Sequence, residues 1–99
     1  MLKISIKHKK IRRVLVLEGK LVAPWTIELI RVARQDHAAH LDRELVIELR
    51  NVTDIDADGE EALYCLMIEG AKFRGGGLYA KQILKQLAER MRQSGPIHE

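Results

Sequence analysis

The segment Thr53–Leu63, TDIDADGEEAL, crowds Asp54, Asp56, Asp58, Glu60 and Glu61 around Gly59. Three chemistries fit such a run. Alternating aspartates that end on a glycine match the first half of an EF-hand loop, whose oxygens wrap one calcium ion. That match fails at the closing position, where a bidentate glutamate is needed and Cys65 stands. A strand pattern also precedes the run, where an EF-hand has a helix. The second chemistry is helix capping, in which an aspartate accepts hydrogen bonds from the free N–H groups of the first turn. Either Asp56 or Asp58 can take that place, and Asp58 with Glu61 has capping-box spacing, with aspartate in the serine role. Acids in a first turn also favour the positive end of the helix dipole, by roughly 0.3–1 kcal/mol each. Capping does not require so many acids, and their mutual repulsion offsets part of the gain. The third chemistry is therefore a docking surface whose charge controls a partner.

Other reactive side chains are sparse. His8, His37, His40 and His98 are scattered along the chain. His37 and His40 share a helix face at i, i+3, a spacing open to a metal but far more common in solvated imidazoles, so no metal site is expected. Cys65 is the lone cysteine, which excludes an internal disulfide and suits a reducing cytoplasm. Between Tyr64 and Leu66 it reads as a small, half-buried apolar residue. No nucleophile stands beside a base, and acids pair only in the 54–61 run. The sequence predicts neither enzymatic activity nor a cofactor.

These residues must be positioned by a small fold. The chain has 99 residues, 46% hydrophobic and 31% charged, which suits one domain over residues 1–99 with a modest core. No apolar run nears the roughly 20 residues of a membrane helix, and MLKISIKHKK lacks a secretory pattern. The net charge of +3 hides an asymmetry. Lys3, Lys7, Lys9, Lys10, Arg12 and Arg13 precede every acid, so the rest of the chain is net acidic. No aromatic is interleaved among these cations to stack on bases, and they read as a solvated hairpin rather than a nucleic-acid arm.

Alternating β-branched residues predict strands at LKISI (2–6) and RVLVLEG (13–19), with Gly19 closing the second. Pro24 suits a first helical position, and Trp25, Leu29, Val32 and Ala33 mark one face of a helix ending near Leu41. ELVIEL (44–49) reads as a buried central strand. After the acidic turn, Ala62, Leu63, Leu66, Met67 and Gly70 follow helical spacing until Gly75–Gly77 break it. A short strand is predicted near Leu78–Ala80, then a helix through Ile83, Leu84, Leu87 and Met91, and a frayed tail over 94–99. The alternation predicts an α/β fold: a mixed sheet of four to five strands, mostly parallel, with an antiparallel N-terminal hairpin and about three helices. Ligand surfaces of such sheets gather at the carboxyl ends of strands, where strand 44–49 delivers the acidic turn.

LVLEGKL (15–21), LVIELRNVTDIDADG (45–59) and the glycine step at 75–77 stand in an order and spacing that resemble the STAS domain. That family comprises bacterial anti-sigma factor antagonists and the cytoplasmic tails of sulfate transporters. The resemblance implies a non-catalytic, cytoplasmic, protein-binding module in signal transduction and transcription regulation. It implies a partner that is both anti-sigma factor and serine kinase, which phosphorylates the serine just before the turn glycine and so releases the antagonist. Aligned on Asp56 and Gly59, that position falls on Asp58 and the preceding serine on Ala57, so neither carries a hydroxyl. Phosphate brings about −1.5 to −2 charges near neutral pH, and Asp58 brings a permanent −1. Two other positions depart from the family: Lys20 replaces its glutamate and Val22 its aspartate.

The expected docking residues are Asp56, Ala57, Asp58, Gly59, Glu60 and Glu61, with Val22, Pro24 and Trp25 as a second contact. Gly59 is expected to admit a partner's backbone closely. The alternative implied by the resemblance is a structural STAS-like subunit in a lipid-transport ATPase or a large signalling assembly. Neither reading involves nucleic acid or direct insertion into a membrane.

Overall fold

A computed structural model describes residues 1–94. The elements are β1 (Leu2–His8), β2 (Arg12–Leu21), α1 (Trp25–Ala39), β3 (Glu44–Ile55), α2 (Ala57–Ile68), β4 (Lys72–Arg74) and α3 (Leu78–Ser94). The strands form one sheet in the order β1-β2-β3-β4. β1 runs antiparallel to β2, while β2–β3 and β3–β4 are parallel. The predicted class holds: α/β, a four-stranded mixed sheet with an N-terminal hairpin, and three helices.

Strand order explains the layering. β2, β3 and β4 follow one another in a single direction across the sheet, and right-handed crossovers then lay successive helices on the same face. The register fixes which side chains meet them. Ile4 pairs with Leu17, Ile6 with Leu15, and Leu15 with Ile47, so these residues share the helical face. There Leu15, Leu17, Ile47 and Leu49 lie under Leu29, Ala33, Leu63, Leu66, Ile83 and Leu87 in one buried cluster. Each fully buried leucine contributes about 1.5–3 kcal/mol of transfer free energy. Among the described residues the opposite face carries no helix. Val14, Val16 and Val46 form a separate buried strip there, in register with Lys7, Ser5, Glu48, Lys72 and Arg74. The aliphatic stems of Lys7, Glu48, Lys72 and Arg74 can shield the valines while their charges stay in water.

Several boundaries differ from the sequence prediction. β3 does not stop at Leu49 but runs to Ile55, twelve residues opposite the ten of β2. Register shifts between Val16 and Glu18 and between Gly19 and Lys20 absorb the excess as bulges, which is why strict alternation fades after Leu49. Gly19 therefore lies inside β2, which continues to Leu21. Pro24 is the N-cap of α1 and not its first helical residue. The short strand lies before the glycines, at Lys72–Arg74, while Leu78–Ala80 opens α3. Gly75 and Gly76, at φ 76° and 84°, turn the chain out of the sheet there. Ser94 is the last residue of α3, and the remainder of the predicted tail, 95–99, lies outside the described residues.

The hairpin is not solvated throughout. Arg13 is fully buried, because its place in the register turns it onto the helical face. Its guanidinium donates to Asp36 Oδ2 at 2.9 Å, to His37 Nδ1 at 3.0 Å and to the Arg43 carbonyl at 3.0 Å. A buried guanidinium is tolerable only when paired in this way.

Candidate functional site

β3 ends at Ile55 and α2 begins at Ala57, so the predicted turn contracts to Asp56 alone. Asp56 is the N-cap of α2: its Oδ1 accepts from the Gly59 amide at 2.7 Å. Its Oδ2 accepts from the Ala23 amide at 3.1 Å, which ties the loop before α1 to the start of α2. The capping role thus belongs to Asp56 and not to the Asp58–Glu61 pair. An aspartate suits the place because two oxygens can serve two orphan donors at once.

Gly59 is buried, and the close approach it permits is internal. A Cβ built there would overlap the Leu21 carbonyl oxygen and lie 2.9 Å from Ile55 Cγ2. The glycine lets the first turn of α2 pack on the ends of β2 and β3. The expectation that it faces a partner's backbone is corrected accordingly.

The remaining acids divide by partner. Asp54 lies in β3 with its carboxylate 3.9 Å from Lys20 Nζ. Glu61 bonds Arg90 of α3 at 2.6 Å, and this bond, helped by the charge of Arg90, holds its carboxyl below the usual glutamate range. Asp58 is exposed in the first turn, and Glu60 is half-buried. Among the described residues, neither of these two carboxylates has a hydrogen-bonding or ionic partner. The three aspartates do not converge on a common point, as calcium would require: one pairs across strands, one caps, and one faces solvent.

Asp58 lines a groove of about 690 Å³ between α1 and α2. Ile27, Ile30, Ala62 and Cys65 give it an apolar floor, Asp58 and Glu61 line the α2 side, and Arg31 and Arg34 line the α1 side. Ile27 is 73% exposed, an unusual state for an isoleucine on an amphipathic helix. Arg31 bonds Glu28 and Gln35, and Arg34 bonds Glu69 at 2.6 Å, so the α1 wall is already largely neutralised. The groove therefore presents an apolar floor with its unpartnered charge at the Asp58 end.

The second predicted contact lies beside the first. Val22 is half-buried, while Ala23, Pro24 and Trp25 are exposed, Trp25 by 39%. The Ala23–Asp56 bond brings these residues to the N-terminus of α2. Tyr79 is a participant that the sequence does not reveal: its hydroxyl donates to the Ile55 carbonyl at 3.1 Å and accepts from the Ile55 amide at 3.2 Å. Among the described residues β4 pairs only with Val46–Glu48, so the end of β3 has no strand on that side, and Tyr79 meets both backbone groups of Ile55 there. Tyr64 is buried, with the Arg90 guanidinium 3.8 Å above its ring.

No protein-family model matches the chain, and no curated protein matches it. No helix among the described residues is long and apolar enough to cross a membrane.

Proposed function

We propose that this chain is a non-catalytic protein-binding module of the STAS type, working in the cytoplasm as an anti-sigma factor antagonist-like regulator. The observation that carries the reading is the exposed, unpartnered carboxylate of Asp58 at the N-terminus of α2, on the rim of an apolar groove. An apolar floor bordered by one free charge suits a protein surface that excludes water at its centre and selects by charge at its edge. Trp25 and Ile27 supply exposed apolar area on the adjoining side. Asp58 holds a fixed negative charge where the STAS pattern has a phosphorylatable serine, so no kinase switches this position. The partner is a kinase-like anti-sigma factor or a related signalling protein.

Binding of purified chain to the kinase-like anti-sigma factors of its own genome tests the reading, with Ile27→Asp as the probe of the groove. Wild type is expected to bind at least one of them or to displace an authentic antagonist. Ile27→Asp, which places a charge on the apolar floor, is expected to abolish that binding while the fold persists. Absence of binding and competition by wild type and by Asp58→Ser alike rejects the reading.

One observation favours a second reading, in which the domain is a structural subunit of a lipid-transport ATPase or large signalling assembly. The helix-free face of the sheet offers a second broad surface, charged by Lys3, Lys7, Lys72 and Arg74, and a bracing subunit needs two. Co-purification of an ATPase and a permease would select it.

A further inference from the structure

The fold assembles a second group of reactive side chains at the opposite end of the molecule, at the amino ends of the parallel strands. His8 closes β1, while Asp36 and His40 lie one turn apart at the end of α1. One ligand atom from each falls within 4.8 Å of the other two. His8 Nε2 lies 3.0 Å from Asp36 Oδ1, and His40 Nδ1 lies 3.6 Å from the same oxygen. The two imidazole centroids are 4.4 Å apart. From these positions we infer a binding site for a divalent transition metal, zinc above all, held by His8, Asp36 and His40.

Geometry supports three ligands and an open fourth position. Tetrahedral zinc with bonds near 2.0–2.1 Å sets its ligand atoms about 3.3 Å apart. The two separations from Asp36 Oδ1, 3.0 and 3.6 Å, bracket that distance. The side chains of His8 and His40 are 42% and 29% exposed, so solvent reaches the open side. Asp36, at 7%, forms the buried base of the site.

Asp36 is also held from behind. Arg13 donates to its Oδ2 at 2.9 Å and leaves Oδ1 for the histidines. Arg13 is itself fixed by His37 Nδ1 and the Arg43 carbonyl. Such outer hydrogen bonds orient a metal-binding carboxylate and keep it from swinging away. His37 Nδ1 accepts from the buried guanidinium and is no ligand, whereas His40 Nδ1 lies 3.2 Å from the Asp36 carbonyl oxygen at the open side and would give up that contact to a metal.

Donor type decides the kind of cation. Arg13 lies behind the site, and Lys9, Lys10 and Arg12 stand on the same hairpin. Hard cations such as calcium or magnesium bind oxygen-rich, negatively charged cages, and this site offers one carboxylate against that positive field. Imidazole nitrogens form coordinate bonds that suit zinc, nickel and copper instead.

The test is titration of the tag-free full chain with zinc chloride against a chromophoric chelator, with calcium chloride in parallel. One equivalent of zinc is expected to bind, and calcium is expected to leave the chain unloaded. His8→Ala and His40→Ala are each expected to weaken zinc at least tenfold. Circular dichroism verifies that each variant folds, and His8→Ala alone decides if His40→Ala does not. No zinc uptake by wild type, or the same affinity in His8→Ala, overturns the site.

Discussion

At the scale of single residues, neighbours in the acidic run do unlike work, and mutation should separate them. Gly59 has no room for a methyl group against the Leu21 carbonyl, so Gly59→Ala should destabilise by about 3 kcal/mol in chemical denaturation. Asp56→Ala removes the N-cap and the Ala23 acceptor together, and should cost about 1–2 kcal/mol, with Asp56→Asn recovering part of it. Asp58→Ser should move stability by no more than about 0.5 kcal/mol, since the side chain is exposed. That Asp56 or Asp58 would cap a helix was legible from the acids alone. Which of them caps was not, because the choice depends on Leu21 and Ala23 lying beside the turn. Gly59 read as a docking aid for the same reason: its close contact is with a strand some forty residues away, and local spacing cannot show that.

At the scale of elements, the sheet and helices were legible where periodicity is strong. Leu15, Leu17, Ile47 and Leu49 alternate cleanly and form the floor of the core. The end of β3 was not legible, because two bulges break the alternation before Ile55. β4 hid for another reason: with three residues, it is too short to show a period. Arg13 shows the same limit within a strand, since it read as one more surface cation of the hairpin. It joins β2 to the end of α1 through Asp36, whose carboxyl lies below its usual range. Burial alone would raise that carboxyl, and the hydrogen bonds from His8 and Arg13 outweigh the effect. Arg13→Ala leaves the Asp36 carboxylate without its main cation in a nearly buried place, and should cost about 3–5 kcal/mol in equilibrium unfolding.

At the scale of the whole molecule, two ion-paired glutamates give stability an acid limit. Glu61 is held below its ordinary value of 4.5 by the hydrogen bond and charge of Arg90. Partial burial would raise Glu48 above the same 4.5, and the bonds and charges of Arg50 and Arg74 outweigh it. For both, the folded state prefers the charged form. Their contribution is present above the unfolded value and is lost as pH falls through the lowered one. The denaturation midpoint should therefore decline with acid from about pH 4.5 downward. Because exposed pairs are weak, Glu48→Gln with Glu61→Gln should make that decline shallower at a small cost in neutral stability.

The carboxyl ends of the parallel strands carry the groove and Asp58, and the amino ends carry His8, Asp36 and His40. The acids of the first stood out in the sequence, since they cluster between Asp54 and Glu61, whereas the groove beside them did not. The second site did not stand out, because His8 reaches α1 only through the hairpin. The central claim is that residue 58 sets the affinity of the docking face by its charge. Its most direct test is the dissociation constant of wild type and of Asp58→Ser for one kinase-like anti-sigma factor, measured side by side. The serine form should bind at least tenfold more tightly and accept phosphate at residue 58. Equal affinity of the two forms, or no binding by either, contradicts the account.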